Sequence, residues 1–181
     1  MNKENNITIL HIIILFMIAF VLRVWGLNLM TEFYTSDHSQ QVSQAVNYFE
    51  NRTFFSASLR TNTFAGLISY CYGMGSLILI YLWISVLYLF GMTVNEFSVS
   101  IIGSLTGTFA VLGVYFFIKE LTNNKMAFLS ALLIAVEPYL IAQSRDIGRF
   151  HIITAITFAV WTLYFFVRYF NTGSDKYGWI S

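Results

Sequence analysis

The chain has 181 residues, 57% of them hydrophobic, 18% aromatic and only 10% charged, with a formal net charge of +1 and a mean hydropathy of +0.66. Soluble domains carry about 25% charged residues, and here the apolar excess falls in runs near or above the roughly 20 residues that cross a bilayer. A soluble globular domain, a disordered chain and a basic nucleic-acid binder are excluded; the composition is that of a polytopic membrane protein. The single cysteine, Cys71, leaves no internal disulfide framework and no multi-cysteine metal site.

The first run, Ile7–Leu29, follows Lys3 and carries Arg23 and Trp25 near its far end. It exceeds a signal-peptide core of about 7–15 residues and lacks a small-residue cleavage site, which predicts an uncleaved signal anchor. Beyond it, Val42, Ala45, Val46 and Phe49 fall at i, i+3, i+4 and i+7, one face of an α-helix over residues 37–51. The opposite face carries Gln40, Gln44, Asn47 and Asn51, a pattern suited to a helix lying in the membrane interface. Ser36 and Asp37 stand at its N-cap position. An acid there is a cap whose loss costs about 0.5–2 kcal/mol. It is equally a carboxylate held rigidly enough to serve as a general base, and the two roles are compatible.

The second run, Phe64–Phe90, is long enough to span but is broken by Gly66, Gly73 and Gly75 with serines and tyrosines among them. Phe97–Ile118 and Met126–Gln143 follow, joined by the polar turn Lys119–Lys125. Glu137 and Pro138 interrupt the latter. A charged Glu at mid-bilayer costs about 2.5–3.5 kcal/mol, so Glu137 is expected to face a hydrated cavity or to be protonated, and Pro138 to kink the helix. The last run, Phe150–Phe170, is closed by Arg168 and the polar tail Asn171–Lys176. In lipid the backbone must satisfy its own hydrogen bonds, so these runs are helices and the fold is all-α. Apolar character resumes over Tyr177–Ser181, which suggests the N-terminal portion of a longer protein.

A second polar island lies between the last two runs: Gln143, Ser144, Arg145, Asp146, Ile147, Gly148, Arg149, Phe150 and His151. Arginine offers a planar fork of donors that matches phosphate oxygens, and Gly148 permits a tight turn or close approach to a ligand. The plainer reading is an interfacial loop whose arginines snorkel to headgroups and pair with Asp146. His151, at the mouth of an apolar run, fits an interfacial polar role. No His/Cys/Glu spacing makes a tetrahedral metal site.

Taken together, an uncleaved anchor and an Asp opening an amphipathic helix with Ala45, Tyr48 and Phe49 resemble the first external loop of the GT-C membrane glycosyltransferases. The run ending Tyr88-Leu89-Phe90-Gly91 is similar to that family's helix closing on Phe-Gly. Gly103, Gly107 and Gly113 through Tyr115, the Lys119–Lys125 turn, and Ala131–Pro138 leading to Ser144 and Arg145 resemble its next two spans and second loop. The nearest branches in style are the protein O-mannosyltransferases and the aminoarabinose or lipopolysaccharide-core transferases. The resemblance implies a GT-C-like N-terminal module spanning residues 1–181 with the interfacial helix in its first external loop. It further implies sugar transfer from a polyprenyl-phosphate donor to a protein, lipid or glycan acceptor, on the external face of a prokaryotic plasma membrane. Asp37 then activates the acceptor, with Asp146 as a second acid in a shifted position. Arg145 and Arg149 bind the leaving phosphate, and His38 and His151 line the substrate. The resemblance names a polyprenyl-phosphate-linked sugar as donor substrate, fixes no cofactor and leaves room for a divalent cation; no nucleic acid is involved. The competing class is a transporter half or membrane scaffold, kept open by Glu137-Pro138 and the glycine-broken second run.

One active site requires Asp37 and the Arg145–His151 island on one face of the membrane. Three apolar runs separate them, so one must fail to cross, and Phe64–Phe90 is the candidate. Spans at 7–29, 97–118, 126–143 and 150–170 then remain, with the external loop over 30–96 and the N-terminus inside. This places Lys3, Lys119, Lys125, Arg168 and Lys176 inside, and Arg52, Arg60, Arg145 and Arg149 outside. A five-span arrangement with the N-terminus outside would put six of these nine charges inside and satisfy the positive-inside rule better.

Overall fold

The computed structural model describes residues 3–27, 74–146 and 149–173. Among them the chain forms only helices: α1 (Lys3–Val24), α2 (Met74–Leu89), α3 (Glu96–Leu121), α4 (Asn124–Val136), α5 (Pro138–Arg145) and α6 (Phe150–Thr172). Three stretches are long and apolar enough to cross a membrane: Asn6–Val24, Phe97–Leu121 and Phe150–Thr172. α4 and α5 together make a fourth, bent by 59°. The all-α polytopic membrane class read from the sequence is the class observed. The 37–51 segment, with Asp37 and His38, lies outside the described residues.

Local chemistry sets the ends of these helices. α2 closes in a Schellman motif. Gly91 takes a φ of 65°, its N–H donates to the Tyr88 carbonyl, and the Met92 N–H donates to that of Leu87. Asn95 opens α3 through a capping box, accepting from the Ser98 N–H at 2.8 Å while the Ser98 hydroxyl accepts from the Asn95 N–H. Asn123 caps α4, accepting from the N–H groups of Lys125 and Met126. Pro138 then stops α4, since its ring lacks an N–H and obstructs the preceding turn. The kink expected there is a full break. Pro138 becomes the first residue of α5, and Glu137 its cap, with the Leu140 N–H donating to Oε2 at 2.6 Å.

Cross-helix bonds fix the directions. Lys119 Nζ donates to Thr8 Oγ1, and the Ser104 hydroxyl donates to the Arg23 carbonyl, so α1 and α3 are antiparallel. Thr157, Trp161 and Asn171 donate to the carbonyls of Thr106, Phe109 and Glu120, so α6 runs parallel to α3. α4 lies beside α1 in the same direction, with the His11 ring 4.5 Å from Phe128 and Arg23 reaching the Ala135 carbonyl. Leu15, Ala19, Val111, Leu112, Tyr115, Ala127, Ala131 and Ala135 form the buried core of these three helices. The alanine every fourth position lets α4 approach closely, as membrane helices do in the absence of a hydrophobic force between them.

The bundle therefore has two chemically distinct ends. Lys119, Lys125 and Arg168 lie at one end, where Arg168 donates to the Tyr164 hydroxyl and pairs with Glu120 at 3.7 Å. Arg23, Arg145 and Arg149 lie at the other. α2 belongs to the arginine end: Ile80 and Ile84 are buried with Val99, Phe150 and Ile153, against Leu140 of α5. Trp83 Nε1 donates to the Ser98 carbonyl at 2.7 Å in the first turn of α3.

Candidate functional site at the arginine end

α5 reaches the arginine end by lying against two glycines of α3. The Ser144 carbonyl occupies the space where a Gly103 side chain would begin. A Cβ on Gly107 would stand 2.6 Å from the Ser144 Cβ and 2.8 Å from Arg23 Nε. Gly103 and Gly107, one turn apart, thus form a strip that receives both α5 and the Arg23 side chain. Gln143 and Ser144 are consequently almost wholly buried, which leaves the remainder of the island at the rim.

Arg23 is fully buried. Its Nη1 donates to the Ala19 carbonyl at 3.0 Å and to the Ala135 carbonyl at 3.2 Å. Its Nε and Nη2 meet no acceptor among the described residues. Ala135 lies in the last turn of α4, where carbonyls lose their intrahelical donors and a cation is favoured by the helix dipole. Glu137 stands at the same break, as the cap of α5. The two halves of the broken helix are thus closed by side chains, Arg23 at the end of α4 and Glu137 at the start of α5.

Arg145 sits in the last turn of α5, its Nε buried and without an acceptor among the described residues. Asp146 ends that helix, its N–H donating to the Ala142 carbonyl at 3.2 Å. The chain then turns back, with the Arg149 N–H donating to the Asp146 carbonyl at 3.0 Å. The same two residues pair through their side chains, Arg149 Nε to Asp146 Oδ2 at 3.4 Å. With the Arg149 side chain 56% exposed, such a pair orients the guanidinium more than it stabilises the fold. Phe150, fully buried among Ile80, Ile84 and Val99, anchors the start of α6. His151 follows in the first turn, half-buried.

Four of the residues expected from the sequence, Arg145, Asp146, Arg149 and His151, are therefore gathered at one rim, and α1 ends beside them. Asp37 and His38 lie outside the described residues. Sequence reasoning missed the parts played by Arg23 and Glu137. Glu137 carried a signal, an acid directly before a proline that opens a helix; Arg23 carried none beyond its charge. Among the described residues no group of three or more His, Cys, Asp or Glu gathers where it could hold a metal ion. The arrangement offers two guanidinium groups, one exposed and held by a carboxylate, at the end of a membrane bundle. That is a charge pattern matched to a phosphate ester at the lipid surface.

A family model described as dolichyl-phosphate-mannose-protein mannosyltransferase matches residues 75–181, more than half of the chain. No curated protein and no solved structure matches it.

Proposed function

We propose that this chain, which belongs to the dolichyl-phosphate-mannose-protein mannosyltransferase family and is thus a membrane glycosyltransferase, takes its sugar from a polyprenyl-phosphate donor. The acceptor is a hydroxyl or amine of a protein, lipid or glycan, and transfer occurs on the external face. The acceptor heteroatom attacks the anomeric carbon, and the bond from that carbon to the phosphate oxygen breaks. The electron pair leaves with the lipid phosphate, and the acceptor proton passes to a carboxylate.

The observation that carries this reading is the rim formed by Arg145, Asp146 and Arg149 at the end of the bundle where α1 finishes. Arg145 and Arg149 hold the phosphate and offset the charge it gains as the sugar departs, an electrostatic contribution available only if the donors are already in place. Asp146 is the second acid of the site. Its pairing with Arg149 suits it to fix that guanidinium. Asp37 is the base. It follows α1 in the chain, and α1 ends at the arginine end. His38 and His151 line the sugar or acceptor.

The direct test is transfer from radiolabelled dolichyl-phosphate mannose to endogenous acceptors by membranes expressing the protein, with chelator added to one arm. Label incorporated into protein, lipid or glycan supports the reading, and the chelator arm reports whether a divalent cation takes part. Absence of transfer with mannose and with other polyprenyl-phosphate sugars would overturn it.

A further inference from the structure

Arg23 has no role in the chemistry just described, yet among the described residues it is the one charged side chain that is fully buried. A buried guanidinium is costly unless it is answered by well-placed acceptors. Here the answer comes from two carbonyls, that of Ala19 in its own helix and that of Ala135 at the broken end of α4. Its Nε and Cδ lie over Gly107, beside the Ser144 Cβ of α5. One side chain thus touches the end of α4, the flank of α5 and the strip of α3 on which α5 lies.

We propose that Arg23 is the positioning residue of the arginine end. It closes α4 at Ala135 and fills the space between Gly107 and Ser144. In doing so it sets the angle at which α5 leaves the break, and through α5 the places of Arg145 and Arg149. Glu137 supports the same angle from the other half by capping α5 at the Leu140 N–H. Without the guanidinium, the Ala135 carbonyl loses its donor, and α5 rests on two glycines that present no side chain to hold it. The inference extends the donor-phosphate reading, but its central test does not depend on it.

The test uses the full-length protein with Cys71 replaced by serine, so that introduced thiols stand alone. Ser144→Cys reports on α5, and Ala131→Cys, fully buried in α4, reports on the bundle as a whole. In the Arg23→Met background, a membrane-permeant maleimide should modify Ser144→Cys about tenfold faster, while Ala131→Cys stays protected, the signature of a local opening. Arg23→Lys keeps a cation for the Ala135 carbonyl and should restore most of the Ser144→Cys protection. Unchanged protection in Arg23→Met would overturn the proposal. So would equal exposure of both thiols, which marks a general packing role, or a lysine variant no better than methionine. In transfer assays Arg23→Met should raise the apparent donor KM about tenfold with kcat held within about threefold. Failure of the donor-phosphate reading would show itself separately, as an unchanged donor KM in Arg149→Lys, and would leave the labelling result standing.

Discussion

The backbone carbonyl of Ser144 lies where the side chain of Gly103 would have to begin, so α5 and α3 meet backbone to backbone. A flexible side chain could give way to a new methyl group, but a helix backbone cannot without moving. Gly103→Ala should therefore destabilise the protein by about 1–3 kcal/mol, the usual range for overpacking. Gly75→Ala is the control, because nothing lies within 4 Å of its Cβ position and alanine favours a helix by about 0.5–1 kcal/mol. Thermal unfolding in detergent should rank the two variants on opposite sides of the wild type.

Asp37→Asn separates capping from catalysis. Asparagine caps helices about as well as aspartate but cannot accept the acceptor's proton. Expression and thermal stability should stay near wild type while transfer falls by about 10²–10⁴-fold, the usual contribution of a general base. Activity within a few-fold of wild type would leave only the cap.

Arg149→Lys and Arg145→Lys keep the charge but lose the planar fork. Each should raise the apparent donor KM, by about tenfold for Arg149, with little change in affinity for acceptor. Asp146→Asn should show a smaller shift of the same kind, because it frees the guanidinium that Asp146 orients at 3.4 Å. Donor titrations of the three variants check this. A kcat loss dominating in Asp146→Asn would instead make that carboxylate a proton acceptor.

The proposed external site and the helix directions together set an expected topology. In a Cys71→Ser background, an impermeant maleimide on intact cells should label Arg149→Cys, Thr93→Cys and Ser39→Cys but spare Asn123→Cys. Thr93 and Asn123 are both exposed and lie at opposite ends of the bundle. Labelling of Asn123→Cys in place of Arg149→Cys would put the arginine end inside and remove the external site. Arg149 serves here rather than its neighbour Ser144, whose burial against Gly107 would hide a thiol from the reagent.

The membrane helices were legible because lipid demands long apolar runs, and the broken helix because Pro138 cannot continue a turn. The family resemblance was legible as an order of weak motifs, and the match over residues 75–181 agrees with it. The inside of the arginine end was not. Arg23 sits near the end of an apolar run, where an arginine ordinarily reaches for headgroups. What buries it is a carbonyl 112 positions away and a glycine in a third helix, partners that no local pattern announces. Glu137 shows the opposite failure. The cost of an acid in lipid drew attention to its charge, while the backbone N–H of Leu140 decided its role.

The bend at Glu137 also shortens the broken helix. α4 has 13 residues, a rise of roughly 20 Å. The 8 residues of α5, inclined at 59° to it, add only about 6 Å along the same axis. The broken helix therefore climbs about 26 Å along the axis of α4, whereas the 26 residues of α3 extend roughly 39 Å. Arg145 is therefore carried less far along the axis of α4 than an unbroken helix of the same 21 residues, roughly 32 Å long, would carry it. The break thus draws the arginine end of α5 back toward the bundle, and the turn from Asp146 to Arg149 starts from that shortened position.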